Sequence, residues 1–292
     1  MRRIIIKLLK TSCKWIPKRF YLKIRFYLSF WKCLNLKNPQ TLNEKIQWLK
    51  LYGYKPIHTT ITDKYLARDY VAEKVGANYL VPVIGVYDRF DEIKFEELPD
   101  KYILKMNHGS GQNIIIRGVD DYDKKFIKNK CNLWLKQNYY HSTKEPQYKD
   151  ITPKILIEKL LTDEGGVLPL DYKLHCINGK VEFIQVDIDR FENHKRNFYS
   201  KDWTLLPFVW CPSNSGWING RPIERPINLN DMIRVAEILA IDFPYLRVDL
   251  YNLRGEILFG ELTLHHGSGW EKFEPAGYDL IYGSKVSLDN QP

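Results

Sequence analysis

A segment near the C-terminus carries the clearest chemical signal. Arg247-Val-Asp249 sits in one apolar run, Leu246 to Leu250, and Glu261-Leu-Thr263 in another, Glu256 to Leu264, with Asn252-Leu-Arg-Gly255 as the turn between them. Side chains of a strand alternate between faces, so Arg247 and Asp249 share one face, and Glu261 and Thr263 share one. If the two faces coincide, two carboxylates and a guanidinium meet at one spot. Like charges held that close call for a cation between them, and hard oxygen ligands suit Mg²⁺ bridging nucleotide phosphates. The plainer alternative is a solvated strand pair with salt-bridged charges.

Two other places could join such a site. Lys105 ends the strand-like run Lys101 to Met106, just before His108-Gly-Ser-Gly-Gln112, and Asn113 to Arg117 reads as the return strand of a hairpin with an exposed loop. Glycines let backbone N–H groups approach an anion closely, and the lysine adds a point charge. The loop matches neither the P-loop nor the dinucleotide fingerprint, and an ordinary hairpin turn would look the same. Glu158 stands in the apolar run Ile155 to Leu161. An acid there wants a partner, either a nucleotide sugar hydroxyl or adenine amino group, or a salt bridge to Lys159.

These groups need a frame. Thr41-Leu-Asn-Glu44 is a capping box that opens a helix through Leu51, ended by Gly53. A second helix is expected from Thr62 or Asp63 to about Val75, followed by a short buried strand within Tyr79 to Val86. Asp120 to about Tyr140 reads as a helix and His141 to Asp150 as a polar connector. Lys154 to Leu161, Tyr172 to Ile177 and Val181 to Asp187 are strand-like, the last two joined by Asn178-Gly179, a strong hairpin turn. Residues 211–228 read as loop, and Asn230 is expected to cap a helix through Ala240. The pattern is α+β with an antiparallel sheet.

The composition fits a sizeable enzyme core, with 44% hydrophobic residues in a chain of 292. Its net charge of +9 is not spread evenly, because residues 1–43 hold eleven Lys and Arg and no acid, leaving 33 basic and 35 acidic residues in the rest. A nearly neutral body argues against a nucleic-acid partner. The basic arm interleaves its charges with Ile4, Trp15, Phe20, Tyr27 and Trp31 among other apolar residues, which suits the surface of an inner membrane or a pair of amphipathic helices packed on the body. No run approaches the roughly 18 apolar residues of a spanning helix, and no signal peptide is evident. Cys13, Cys33, Cys131, Cys176 and Cys211 form no close pair, so neither a disulfide framework nor a thiolate zinc site is indicated. The expected location is the cytoplasm, peripheral at the membrane if the arm binds lipid.

Four stretches in order are more specific than any one: Thr62-Asp-Lys-Tyr-Leu-Ala-Arg-Asp-Tyr-Val71, Tyr102-Ile-Leu-Lys-Met-Asn-His-Gly-Ser-Gly111, Asp171-Tyr-Lys-Leu-His-Cys-Ile-Asn-Gly179, and Arg247-Val-Asp-Leu-Tyr251 followed by Phe259-Gly-Glu-Leu-Thr-Leu264. Over about Thr41 to Gly283 the chain resembles ATP-grasp enzymes, in the TupA-like branch named for teichuronopeptide biosynthesis. The resemblance implies an α+β ATP-grasp fold, two lobes clasping a nucleotide. It divides into a basic helical arm (1–40), a helical pre-grasp region (41–100), a small lobe with a Gly-rich lid (101–160) and a large lobe with a magnesium-binding hairpin (161–292).

By the same resemblance, Lys64 and Lys105 grip the phosphates of ATP and Lys173 joins the nucleotide-binding set. Ser110 and Gly111 lie in a mobile lid, while Glu158, Lys159, Leu160 and Leu161 line the adenine pocket. Asp249 and Glu261, with Thr263, hold Mg²⁺. Arg247 stabilises charge at the reacting carboxyl, and one of Lys195 and Arg196 reaches the γ-phosphate, with Arg196 taken as catalytic beside Arg247 and Lys105. Many ATP-grasp enzymes have Glu-x-Asn where this chain has Glu-x-Thr, so Thr263 offers a hydroxyl instead of an amide oxygen. The implied activity is a carboxylate–amine ligation through an acyl phosphate, joining an amino acid to a sugar or lipid-linked glycan of a bacterial surface polysaccharide. Two other readings stand beside it: a glycosyltransferase using Asp187-Ile-Asp189, and a non-catalytic scaffold at the membrane surface.

Overall fold

The computed structural model describes residues 6, 16–118, 123–188, 194–212 and 219–288. Helices α1 (Lys18–Phe30), α2 (Leu42–Tyr52), α3 (Pro56–Thr62), α4 (Ala67–Lys74), α5 (Lys124–Leu135), α6 (Tyr139–Thr143), α7 (Leu229–Ala240) and α8 (Gly277–Lys285) pack around two antiparallel sheets and a short ribbon.

The first sheet has the order β1 (Val83–Tyr87), β4 (Ile155–Lys159), β2 (Tyr102–Met106), β3 (Asn113–Ile116). Alternation gives it two faces. Tyr102, Leu104, Met106, Ile116, Ile155 and Ile157 turn inward against Ile127 and Cys131 of α5. The register pairs Ile103 with Glu158 and Lys105 with both Leu156 and Asn113, so the two charged groups share the other face.

The second sheet runs β10 (Glu256–Thr263), β9 (Tyr245–Leu253), β5 (Asp171–Ile177), β6 (Lys180–Ile188), β7 (Lys195–Tyr199). Its apolar face, with Leu174, Cys176, Val186, Leu246, Val248 and Leu250, packs on α7 and α4. The opposite face is charged at one end and aromatic at the other, where Phe183, Phe198 and Tyr245 meet Trp210 and Phe273 of the ribbon formed by β8 (Val209–Cys211) and β11 (Lys272–Glu274).

Several local features follow the sequence closely. Thr41 Oγ1 accepts from Glu44 N at 3.2 Å and Glu44 Oε2 accepts from Thr41 N at 3.1 Å, closing the capping box of α2. Others differ for identifiable reasons. The Asp63 carboxylate accepts from Tyr65 N and Leu66 N, and this local turn delays the expected second helix to α4 at Ala67, while α3 before it is a helix not expected from the sequence. The expected strand before Val86 reduces to β1, a half-exposed edge strand. Helix α7 starts at Leu229, with Asn228 at its N-cap in place of Asn230. The presumed connector at 141–150 is not an open loop, since Thr143, Lys144, Glu145 and Gln147 are all buried. The Gly-rich loop is exposed only at Ser110 and Gly111, with Asn107 and His108 buried beneath.

Residues 1–5 and 7–15 of the basic arm lie outside the described residues. From Lys18 onward the arm is helix α1, docked on the body through Tyr21, Leu22 and Phe26 against Leu34, Leu36 and Trp48. Among the described residues no helix is long and apolar enough to cross a membrane.

Helix α8 crosses the start of α2 at Gly283, where an added Cβ would lie 2.2 Å from Gln40 O and 2.5 Å from Leu42 N. Backbone cannot yield as a side chain can, so Gly283→Ala is expected to lower stability by about 2–3 kcal/mol. Gly277→Ala, whose Cβ would meet nothing within 4 Å, should change it by less than about 0.5 kcal/mol. Urea midpoints of the two variants check the difference.

Candidate active site

The charged hairpin owes its geometry to one glycine. Along β10 the register runs from Phe259 opposite Leu250 straight to Glu261 opposite Asp249, leaving Gly260 as a bulge. In an unbroken register Gly260 would pair with Asp249, and Glu261 would pair with Val248 and enter the apolar core. With the bulge, Phe259 stays in the core and Glu261 joins Asp249 on the charged face. Gly260 also allows a close approach, because a Cβ there would lie 3.1 Å from Asp249 O.

Pairing then lines up three rows of side chains across the sheet. Thr263, Arg247 and His175 form the first, Glu261, Asp249, Lys173 and Gln185 the second, and Tyr251, Asp171, Asp187 and Arg196 the third. Arg247 Nη2 donates to Asp249 Oδ2 and to Glu261 Oε1, both at 2.7 Å, while Nε donates to Asp249 Oδ1 at 2.6 Å. Lys173 Nζ reaches Asp171, lies 2.9 Å from Asp249 Oδ2 and 3.8 Å from Asp187 Oδ2.

Burial opposes the charges of Lys173, Arg247, Asp249 and Asp187, and its balance with their neighbours decides each outcome. For Lys173 and Arg247 burial works to lower the pKa, but their carboxylate neighbours more than compensate and raise it. For Asp249 burial wins and lifts the carboxyl above the ordinary range, against the pull of Arg247 and Lys173. Asp187 goes the other way: His194, Arg196 and Lys173 overcome its burial and hold it well below that range.

Arg247 has a further contact, its Nη1 lying 2.9 Å from His266 Nδ1, and His266 Nε2 lies 3.0 Å from Glu271 Oε2. A guanidinium only donates, so Nδ1 accepts and the imidazole proton sits on Nε2, donated to Glu271. The same Glu271 oxygen accepts from Arg196 Nη1 at 2.9 Å, and Arg196 Nε donates to Asp187 Oδ1 at 3.0 Å. The two arginines are thereby joined through one histidine and one carboxylate.

The first sheet supplies the facing groups. Lys105 Nζ donates to Glu158 Oε2 at 2.6 Å, and Arg68 Nη1 approaches Glu158 Oε1 at 3.4 Å. Glu158 is thus paired with Lys105 and Arg68, and not with Lys159, whose side chain is exposed. Lys64 Nζ donates to Gly109 O at 2.5 Å and lies 3.9 Å from Glu261 Oε2, linking the Gly-rich loop to the hairpin of the other sheet. Asn107 fixes that arrangement. Its carbonyl accepts from Lys64 N, its amide donates to Asp63 and to Thr152 O, and its side-chain oxygen accepts from Lys154 N.

Residues of both sheets line a single cleft of about 690 Å³. Lys105, Glu158, Lys159, Leu160, Leu161, Asp171 and Asp187 border it, together with Arg117, Arg221 and Tyr251. Ser110 and Gly111 form the exposed tip of the neighbouring loop, with Gly111 at φ +72° and nothing near a Cβ there. The Lys105–Glu158 pair borders this cleft directly, whereas Asp249 and Glu261 of the other sheet lie behind its lining, Asp249 joined to it by Lys173 through Asp171 and Glu261 lying 3.9 Å from Lys64. Of the acidic pair in Asp187-Ile-Asp189, Asp187 is buried and engaged as described, and Asp189 lies outside the described residues.

The oxygen donors here are of the kind magnesium takes, though in this structure they are salt-bridged to Arg247. Two carboxylates converge on one guanidinium nitrogen, and Thr263 Oγ1 lies 3.4 Å from Glu261 Oε1. Among the described residues no cluster of three or more His, Cys, Asp or Glu could hold a metal ion. A site with only two carboxylates suits Mg²⁺ that takes its remaining ligands from water and from substrate phosphates.

Residues 44–287 match the family described as TupA-like ATPgrasp. The chain belongs to the TupA-like ATP-grasp family. No curated protein matches it. Solved structures similar to this family member include the ATP-grasp ligase PsnB complexed with a phosphomimetic precursor variant, Mg and ADP, at 12% identity over 84% of this chain and 67% of that one, TM-score 0.43. An L-amino acid ligase from Bacillus licheniformis aligns at 11% identity over 93% and 61%, TM-score 0.46. D-alanine–D-alanine ligase from Bacillus anthracis complexed with ATP aligns at 15% over 78% and 62%, TM-score 0.40. The fold is a mixed α+β ATP-grasp-like fold built on antiparallel sheets.

Within this ATP-grasp frame, sequence reasoning passed over Arg68, Asn107, His266 and Glu271. Arg68 and Asn107 lie inside the stretches that carry the family resemblance, four residues after Lys64 and two after Lys105, so their spacing was a usable signal. His266 and Glu271 sit in a segment with positive φ at Gly267, Ser268 and Gly269, and no periodicity marks them.

Burial first, with Arg247 and Arg196 adding to it and Glu271 opposing, lowers His266 from 6.5 to about 4. The unfolded chain takes up that proton first, so the contribution of His266 is full above 6.5 and is lost as the pH falls toward 4. His266→Leu leaves a buried donor of Arg247 without its acceptor and should cost about 1–3 kcal/mol at neutral pH. The variant should also lose less stability than the parent between about pH 7.5 and about pH 5. Urea denaturation at both pH values tests the pair of expectations.

Proposed function

We propose that this chain is an ATP-dependent carboxylate–amine ligase that joins an amino acid to a sugar of a bacterial surface polysaccharide. The observation that carries the reading is the meeting at one cleft of Lys105 and Glu158 from one sheet with Asp171 and Asp187 from the other, where Lys173 ties Asp171 to Asp249 and Lys64 reaches Glu261. Membership of the TupA-like ATP-grasp family supports the reaction class. The sugar and the pathway rest on the sequence resemblance to the teichuronopeptide branch.

In this reading Lys64, Lys105 and Lys173 hold the phosphates of ATP, and Glu158, Lys159, Leu160 and Leu161 border the adenine. Ser110 and Gly111 cover the phosphates. Asp249 and Glu261, with the Thr263 hydroxyl, hold Mg²⁺, which supplies positive charge to the phosphate oxygens. A substrate carboxylate attacks the γ-phosphorus, ADP departs, and an amine then displaces phosphate from the acyl carbon. Arg247 stabilises charge at the reacting carboxyl, and Arg196 acts at the transferred phosphoryl group. Positioning and charge neutralisation do the work, so no protein nucleophile is required. A lid over the phosphates keeps water from the acyl phosphate. The reaction belongs in the cytoplasm, where ATP is available.

Thermal shifts should separate the competing readings. ATP with Mg²⁺ is expected to raise the melting temperature while UDP-sugars leave it unchanged. The reverse would favour a glycosyltransferase, and no response to either would favour a scaffold. Asp249→Asn and Glu261→Gln should each lower ATP turnover by at least about 100-fold with the fold retained. Phosphate release measured across amino acids and uronic-acid glycans supplies the turnover, and full activity in both variants would overturn the metal assignment.

A further inference from the structure

Helix α1 has two apolar faces, and the body uses only one. Tyr21, Leu22, Phe26 and Ser29 are buried against the protein. On the far side Phe20 is 63% exposed, Ile24 45%, Tyr27 47% and Trp31, the C-cap residue, 60%. Positions 20, 24 and 27 follow the helical repeat and fall within about 60° of arc, and Trp31 continues their spacing. Tyr27 and Trp31 meet edge to face with ring centroids 5.7 Å apart, so the stripe is ordered rather than scattered. Arg19, Lys23 and Lys32 are exposed beside it.

We propose that this stripe is a docking surface for an anionic lipid bilayer, with Phe20, Ile24, Tyr27 and Trp31 entering the interface and the neighbouring basic side chains meeting lipid headgroups. Charge selects this occupant. Residues 1–43 contain eleven Lys and Arg and no acid, while the rest of the chain is close to neutral. A second copy of the same face would set Arg19, Lys23 and Lys32 against their own like charges, whereas an anionic leaflet neutralises them. The residue types agree, since Trp and Tyr favour the depth where hydrocarbon meets headgroups. A helix lying in the plane needs no spanning length, and α1 has 13 residues. The inference stands on α1 and not on the ligase reading, so either can fail alone.

Co-sedimentation of the full chain with phosphatidylcholine vesicles, with and without phosphatidylglycerol, tests it. Binding is expected only with phosphatidylglycerol and should weaken as salt is raised. The pair Phe20→Ser and Trp31→Ser should weaken it by at least about ten-fold at unchanged melting temperature, both side chains being outside the core. Trp31 emission, taken as the difference from Trp31→Phe, should shift to the blue on binding. Equal binding to neutral and anionic vesicles, or full binding by the double variant, would overturn the proposal. So would concentration-dependent self-association abolished by the same substitutions, which would make the occupant a second copy.

Discussion

Two carboxylates held side by side on a buried sheet face repel each other, and much of this molecule is arranged around that fact. Asp249 and Glu261 are brought opposite by the bulge at Gly260. Arg247 bridges them, Lys173 flanks Asp249, and Asp171 and Asp187 balance Lys173 in turn. Each added charge would be costly alone in such a setting, and each is tolerated because the next one answers it. The network also fixes register. A slip of one residue in β10 would send Glu261 against Val248 and the apolar side of the sheet, with nothing there to pair it.

The opposite wall obeys the same constraint on a smaller scale. Lys105, Arg68 and Glu158 form one cluster on the first sheet, and Lys64 leans from the turn before α4 toward Glu261 on the second. The part that holds these pieces in common is a neutral one. Asn107 is fully buried and spends both ends of its amide on the chain around it, tying the Lys64 turn to the root of the Gly-rich loop and to the segment that leads into β4. The exposed tip at Ser110 and Gly111 is thus a short turn on a firmly anchored base.

Much of this was legible because it is local. Alternation placed Arg247 with Asp249 and Glu261 with Thr263, the capping box placed α2, and Asn178-Gly179 placed the β5–β6 hairpin. Whether the two halves of the charged hairpin share a face was not local. Phe259 and Glu261 are two residues apart and still point to opposite faces, which simple alternation forbids and the Gly260 bulge permits. Partner choice was equally hidden: Glu158 lies beside Lys159 in sequence yet pairs with Lys105 and Arg68, since neighbours on a strand face apart. The Glu271–His266–Arg247 relay joins residues whose only relation is tertiary, and the burial of Glu145 and Gln147 in a polar stretch had no signature at all.

The pairing of Lys105 with Glu158 has one more consequence. A cation that already has a carboxylate at 2.6 Å is not an open trap for any passing anion. On the proposed reading a phosphate arriving at Lys105 competes with that carboxylate, and a metal arriving at Asp249 and Glu261 competes with the guanidinium that spans them. Uptake of such a ligand would then be in part an exchange of ion pairs. The ligand that would answer both competitions at once is a polyanion that carries its own cation.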